Sequence, residues 1–444
     1  MRRVCFIIII VILLVSCTNK ARGFFDKGSE YLENKDYENA IIQYTAALEI
    51  KPKMHEALYN RGLAYTNLDD YDNAIADYTA ALVIKPDMYD ALLNRGVMYS
   101  RKGESDLAIT DYTAAIGKNA NLHEAFLNRG NKYAERNEID KAFSDYNSAL
   151  RINSNLHEAY YNRGILYMNL NDHDNAMTDF TAALRIKSDL YEALYNRGVI
   201  YSENNNLDFA IADYTAALKV KPDFHEAFYN RGLAYLLKGN PDQAISDFSS
   251  VIEFEPDMYD AYLNRGVALF RKNNIDGAIA DYTTAIEIEP ESYDAYYNRG
   301  NANYSKNNYD RAITDYTTAL RIKPDLYEAL YSRGNVYSIR NNHDRAIADY
   351  TAALRIKPDL YEALFERGNS YFNRQNWDNA IADYTAVLRA NPRHYEALCN
   401  RGLAYIRGSN YTRAIADWEA ALRINPNNSQ IRQNLELARV LQAF

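Results

Sequence analysis

Shifted by 34 residues, this chain falls on itself. A glycine recurs at Gly28, Gly62, Gly96, Gly130, Gly164, Gly198, Gly232, Gly266, Gly300, Gly334, Gly368 and Gly402, and no insertion or deletion interrupts the series. A period of about 20–50 residues marks an array whose units bury their apolar faces only by stacking on one another. Twelve such units fill residues 21–428 of the 444. In the unit His55–Met88, residues Ala57, Leu58, Arg61, Gly62 and Tyr65 fall on one face at helical spacing. A polar turn at 67–70 follows, then a second stripe at Ala74, Tyr78 and Ala81, and Pro86 stops the helix. Each unit is thus expected to be a helix-turn-helix.

Counted from His55, this spacing resembles the tetratricopeptide repeat family. The family's small residue at position 8 is Gly62, and its aromatic at position 11 is Tyr65. Ala74, Tyr78, Ala81 and Pro86 fill positions 20, 24, 27 and 32. Departures are local. Ala120, Ser154 and Ser188 replace the proline, Val251 and Val387 the second alanine, and Leu269 and Asn303 the position-11 aromatic. The resemblance implies an all-α, right-handed superhelical solenoid of twelve repeats. Residues 429–444, with Ile431, Leu435, Ala438 and Leu441 on one side, are expected to form a capping helix.

Length and charge narrow the function. The repeats leave no room for a separate catalytic domain, and a net charge of −9 argues against a phosphate-binding surface, so no nucleic-acid partner is expected. Residues 1–16 carry Arg2 and Arg3, then an apolar run from Val4 to Val15. That run is shorter than the roughly 20 residues a membrane helix needs and reads as a signal peptide. Its end, Leu14-Val15-Ser16-Cys17, resembles the lipobox of bacterial lipoproteins. The resemblance implies cleavage before Cys17, acylation of that residue, and a short spacer at 17–20 tethering the chain to a membrane of the bacterial cell envelope, on its periplasmic or surface face. Thr18, where some inner-membrane lipoproteins have aspartate, favours the outer membrane. An ordinary signal peptide or a short uncleaved anchor fits the same run.

Three polar positions recur. Arg61 and its equivalents lie on the face expected to be buried, and Asp77 and its equivalents sit beside the second helix's apolar stripe. Unpaired buried charge is costly, so the two are expected to pair. Position 2 is acidic in eleven units, which disfavours a clamp for a terminal carboxylate. At Asp189-Leu190-Tyr191-Glu192 the aspartate is expected to be an N-cap and the glutamate its capping-box partner.

The third is an asparagine ladder: Asn60, Asn94, Asn128, Asn162, Asn196, Asn230, Asn264, Asn298 and Asn400. In the family this position lines the concave groove, and a carboxamide can both donate to and accept from a peptide backbone. The ladder is therefore expected to bind an extended segment, although recent copying of near-identical units would also produce it. Leu233, Leu236, Leu237, Phe270 and Tyr304 form a candidate groove hot spot, with Asn301, Asn335 and Asn369 as neighbouring polar positions.

No HExxH, CxxC, GxSxG or phosphate-loop spacing occurs, so no metal, cofactor or catalytic residue is expected. The sequence points to a non-catalytic scaffold or adaptor binding proteins or peptides. The alternative is a structural assembly factor for envelope complexes, acting through convex or edge surfaces.

Overall fold

A computed structural model describes the backbone of residues 2–443 and the side chains of residues 18–443. The readings of 1–16 as a leader and of Cys17 as the anchor lie outside the described side chains. Among the described residues there are 25 α-helices and no strand, and no helix is long and apolar enough to cross a membrane. The chain divides into two units. Unit 1, Met1–Pro222, holds the helices of repeats 1–6; unit 2, Asp223–Phe444, holds those of repeats 7–12 and the added helix Ser429–Gln442. Within each unit every helix packs on the next in the chain. In unit 2 the first helices of successive repeats also touch one another. This is the expected all-α repeat solenoid.

The recurring glycine is explained by close approach. A Cβ on Gly62 would stand 2.7 Å from Tyr78 Cε1, and one on Gly266 2.6 Å from Tyr282 Cε1. Each ring is fully or almost fully buried against the first helix of its own repeat. Alanines at positions 3, 20 and 27 fill the remaining space between helices; Ala57, Ala74 and Ala81 are all 0% exposed.

The turn inside each repeat obeys a rule of its own. The residue at position 15 takes a left-handed conformation in all twelve units: Gly103, Gly239 and ten others, including Asn137, Asn171 and Asn205. In repeat 2 the Asp70 amide donates to the Tyr65 carbonyl and that of Asp69 to Thr66, the paired bonds of a Schellman ending. Asp70 then caps the next helix by accepting from the Asn73 amide. Gln375 holds this conformation at φ 61° with its side chain exposed. Gln375→Gly is expected to raise stability by about 0.5–1 kcal/mol, the left-handed cost relieved less the added chain entropy. A higher urea midpoint at unchanged slope checks it.

One expectation about caps fails. The N-cap of the helix Tyr191–Glu203 is Leu190, which makes no side-chain cap, so Asp189 is not the cap residue. Apolar N-caps recur at Met54, Met88, Leu122, Leu156 and Phe224. Position-2 acids such as Glu192 sit in the helix's first turn, where the helix dipole favours negative charge.

Candidate functional site

The arginine–aspartate pairs come first, because they fix the first helix of each repeat. Eleven repeats carry one, from Arg61–Asp77 to Arg401–Asp417. Each is bidentate: Arg61 Nε and Nη2 donate to the two Asp77 oxygens at 2.7 and 2.8 Å. A third bond was not anticipated. Arg61 Nη1 donates to Thr45 Oγ1 of the preceding repeat at 2.9 Å, and Arg95 does the same to Thr79. Ser249 and Thr317 accept likewise from Arg265 and Arg333. The guanidinium therefore joins three helices in two repeats. In repeat 12 the acceptor position holds Glu419, and Arg439 of the added helix pairs with it at 2.9 Å.

All nine ladder asparagines are half-buried, and several have partners within the chain. Asn94 donates through Nδ2 to the Tyr59 hydroxyl of the repeat before it at 3.1 Å, and Asn264 to that of Tyr229 at 3.1 Å. Asn196 makes the same bond to Tyr161 at 3.4 Å. Asn162 and Asn400 donate instead to Asn131 and Asn369, which also accept from the hydroxyls of Tyr146 and Tyr384. Burial, together with the nearby Asp90 and Asp260, pushes the Tyr59 and Tyr229 hydroxyls up to about 12, so both stay protonated. These bonds engage the carboxamide N–H. They give the ladder an internal reason to recur, tying the first helix of one repeat to that of the last.

Hollows open along the same residues. In unit 1 a cavity of about 390 Å³ lies among Asn131, Glu135, Tyr146, Tyr161 and Asn162. In unit 2 three hollows adjoin across repeats 9–12, sharing Glu366. One of about 240 Å³ is lined by Tyr304, Tyr331, Asn335 and Ser338. The second, of about 360 Å³, reaches Asn369, Asn400 and Leu403. The third, also about 360 Å³, reaches Tyr361, Phe365 and His394. Glu366 stands where most repeats have the ladder asparagine; it accepts from Asn369 Nδ2 at 3.2 Å and has no ion-pair partner among the described residues.

The five apolar groove candidates do not form one patch. Leu236 is only 7% exposed and packs on Ala244, Phe248 and Ala268, which makes it a core residue rather than a contact surface. Leu233 and Phe270 are half-buried in the cores of their own repeats. Leu237 is 67% exposed, and Tyr304 lines the trough around Glu366. Asn301, Asn335 and Asn369 each accept from the buried tyrosine of their own repeat at 2.7–2.8 Å. Among the described residues no group of three or more His, Cys, Asp and Glu is placed to hold a metal. Cys399 is buried with its thiol pushed up by burial.

Stacked helix pairs joined through a repeated arginine, with hollows along their first helices, define a repeat scaffold. Family models described as tetratricopeptide repeat match residues 55–88, 89–121, 157–258, 263–361 and 365–429, and one described as TPR repeat matches 28–69 and 130–171. The chain belongs to the tetratricopeptide repeat family. A search of curated proteins finds no match. Among solved structures it is similar to YrrB, described as a TPR protein with an unusual peptide-binding site, at 28% identity over 41% of this chain and 95% of that one, TM-score 0.40. It is also similar to yeast Tom70, at 20% identity over 96% of each chain, TM-score 0.35. A third is the C-terminal part of a TPR repeat-containing protein from Cytophaga hutchinsonii, at 18% identity over 54% and 99%, TM-score 0.49.

Proposed function

We propose that this protein-interaction scaffold is a non-catalytic adaptor, tethered to a bacterial envelope membrane through Cys17, that binds extended protein segments along the face made by its first helices. The observation that carries the reading is the trough in repeats 9–12, where Tyr304, Asn335, Ser338, Glu366, Asn369 and Asn400 line adjoining hollows. Aromatic rings supply contact area at low entropic cost, and the amides supply backbone donors and acceptors. The carboxylate of Glu366, with no cation beside it, favours a segment carrying a lysine or arginine.

Photo-crosslinking in cells tests both halves at once. A photoreactive residue at position 298 should form an adduct with a partner protein in the membrane fraction, whereas one at Val83, exposed on a second helix, should not. Cys17→Ala should lose lipid labelling and accumulate as uncleaved precursor. Adducts formed only from Val83 would move the interface to the convex side and favour the structural assembly role. A lipid-free mature chain of wild-type sequence would remove the anchor.

A further inference from the structure

Repeat 9 breaks the pattern at one buried position, and the break leaves a hole. Ten repeats carry tyrosine at position 11 and repeat 8 carries Leu269; repeat 9 carries Asn303. In repeats 3, 4, 6, 7, 10, 11 and 12 the structural arginine at position 7 lies 5.8–6.0 Å from the centre of this tyrosine's ring. In repeats 4, 10 and 12 a second cation, from position 19, also faces the ring. Arg333 and Arg345 lie 6.0 and 5.5 Å from the Tyr337 ring centre. Arg401 and Arg413 lie 5.8 and 5.7 Å from that of Tyr405. Arg129 and Lys141 take the same places at Tyr133.

Repeat 9 keeps both cations, Arg299 and Arg311, and lacks the ring. In its place is a cavity of about 420 Å³, lined by Arg299, Asn303, Arg311, Asp315, Thr283 and Ile279 among others. That volume lies within the range of small-ligand sites, about 300–1,000 Å³. Asn303 is 2% exposed. Its Nδ2 donates to Asp315 Oδ2 at 3.0 Å, while its Oδ1 is buried with no hydrogen-bond partner. A buried acceptor without a donor is costly, and this one belongs to a residue that lines the slot. Asn303 also draws on the ion pair. Arg299 Nε stands 3.2 Å from Asp315 Oδ2, against 2.8 Å for the same bond in repeats 8 and 10.

We propose that this slot takes a phenol ring from outside the chain, the side chain of a partner's tyrosine entering hydroxyl first. The ring would stand where the other repeats hold their own, its negative faces toward the two guanidinium groups. Its hydroxyl would donate to Asn303 Oδ1, which is buried in the empty slot and would turn toward the ring as it enters. An anion suits the slot poorly, because Arg299 is already neutralised by Asp315, and Oδ1 and the Asp310 carboxylate present only acceptors. A plain hydrocarbon ring would leave Oδ1 unsatisfied. The lining comes from positions 7, 11, 18, 19, 22 and 23 of repeat 9 and positions 21 and 25 of repeat 8. None is a ladder or trough position, so the site is separate from the face proposed above and stands or falls without it.

Saturation-transfer NMR on the purified full chain tests the proposal, with 4-methylphenol, toluene and N-acetyltyrosinamide as probes. We expect saturable binding of 4-methylphenol and of N-acetyltyrosinamide, with toluene weaker by about two- to tenfold for want of the hydroxyl. Asn303→Tyr, which restores the ring, and Asn303→Leu, which copies repeat 8, should each abolish binding with the helical content retained. The second variant guards against a folding defect in the first. Absence of 4-methylphenol binding to the wild type overturns the proposal, as does equal binding to both filled variants or to toluene. Binding of 4-methylphenol with exclusion of N-acetyltyrosinamide overturns the partner's tyrosine in favour of a free phenol.

Discussion

Asp145→Ala is expected to destabilise repeat 4 by about 3–5 kcal/mol, the cost of leaving one half of a buried ion pair without the other. The Asp145 side chain is 5% exposed and that of Arg129 15%, so solvent cannot take over the lost bonds. Arg129 gives two hydrogen bonds to Asp145 at 2.8 Å and one to Thr113 of repeat 3. It also lies 5.7 Å from the Phe126 ring centre and 5.8 Å from that of Tyr133. Removing the carboxylate strands the cation among these rings. In a linear array the damage should stay local, so unfolding should depart further from two-state behaviour, with amide exchange accelerated in repeats 3 to 5 first. The double variant Arg129→Met/Asp145→Leu should recover most of the loss, because packed apolar groups replace buried pairs at little cost. A single-variant loss below about 1 kcal/mol would place this pair with exposed surface pairs instead.

Truncation after Asn428, which removes the helix Ser429–Gln442, is the second large effect. Ile431 is 6% exposed, Leu435 5% and Ala438 0%, and they share a core with Trp418, Ala421 and Leu398. Burying two large aliphatic side chains contributes roughly 1.5–3 kcal/mol each, so about 3–6 kcal/mol should be lost from repeats 11 and 12. The Arg439–Glu419 bond goes with them. Trp418, now 2% exposed and donating to the Cys399 carbonyl at 3.2 Å, should be uncovered, and the bare face should drive self-association. Trp418 fluorescence during urea unfolding reads the loss, and sedimentation reads the association. An unchanged midpoint and a monomer would show that the helix covers nothing essential.

Much of this architecture is legible in the sequence, because a 34-residue period repeated twelve times leaves one solution for burying its stripes. The pairing of Arg61 with Asp77 follows from both residues falling beside apolar faces. The third partner, Thr45, carries a signal too: position 25 holds threonine in most repeats and Glu419 in the last. Its meaning depends on how one repeat stacks on the next, which periodicity does not supply. The same gap hid the partners of the ladder. Asn94 and Tyr59 lie 35 residues apart, and only the stacking of successive first helices brings them to 3.1 Å. Leu236 looked like a groove residue by its position, yet it is buried against Ala244 and Phe248 of its own repeat and Ala268 of the next. Asn303 was visible as a departure, but the hole beneath it is a property of packing.

The central claim is that the ladder face binds an extended segment through its backbone. The direct measurement is the affinity of a partner segment, captured by crosslinking at position 298, for the wild type and for the Asn264→Ala/Asn298→Ala/Asn400→Ala variant. Each hydrogen bond lost is worth about 0.5–1.5 kcal/mol, so the three together should weaken binding by roughly one to three decades. Stability should hardly change, since alanine's better helix propensity offsets the internal bonds that Asn264 and Asn400 give up. Partners of differing sequence should lose similar factors. Undiminished affinity in a variant of unchanged stability would contradict the claim and take the binding surface off this face.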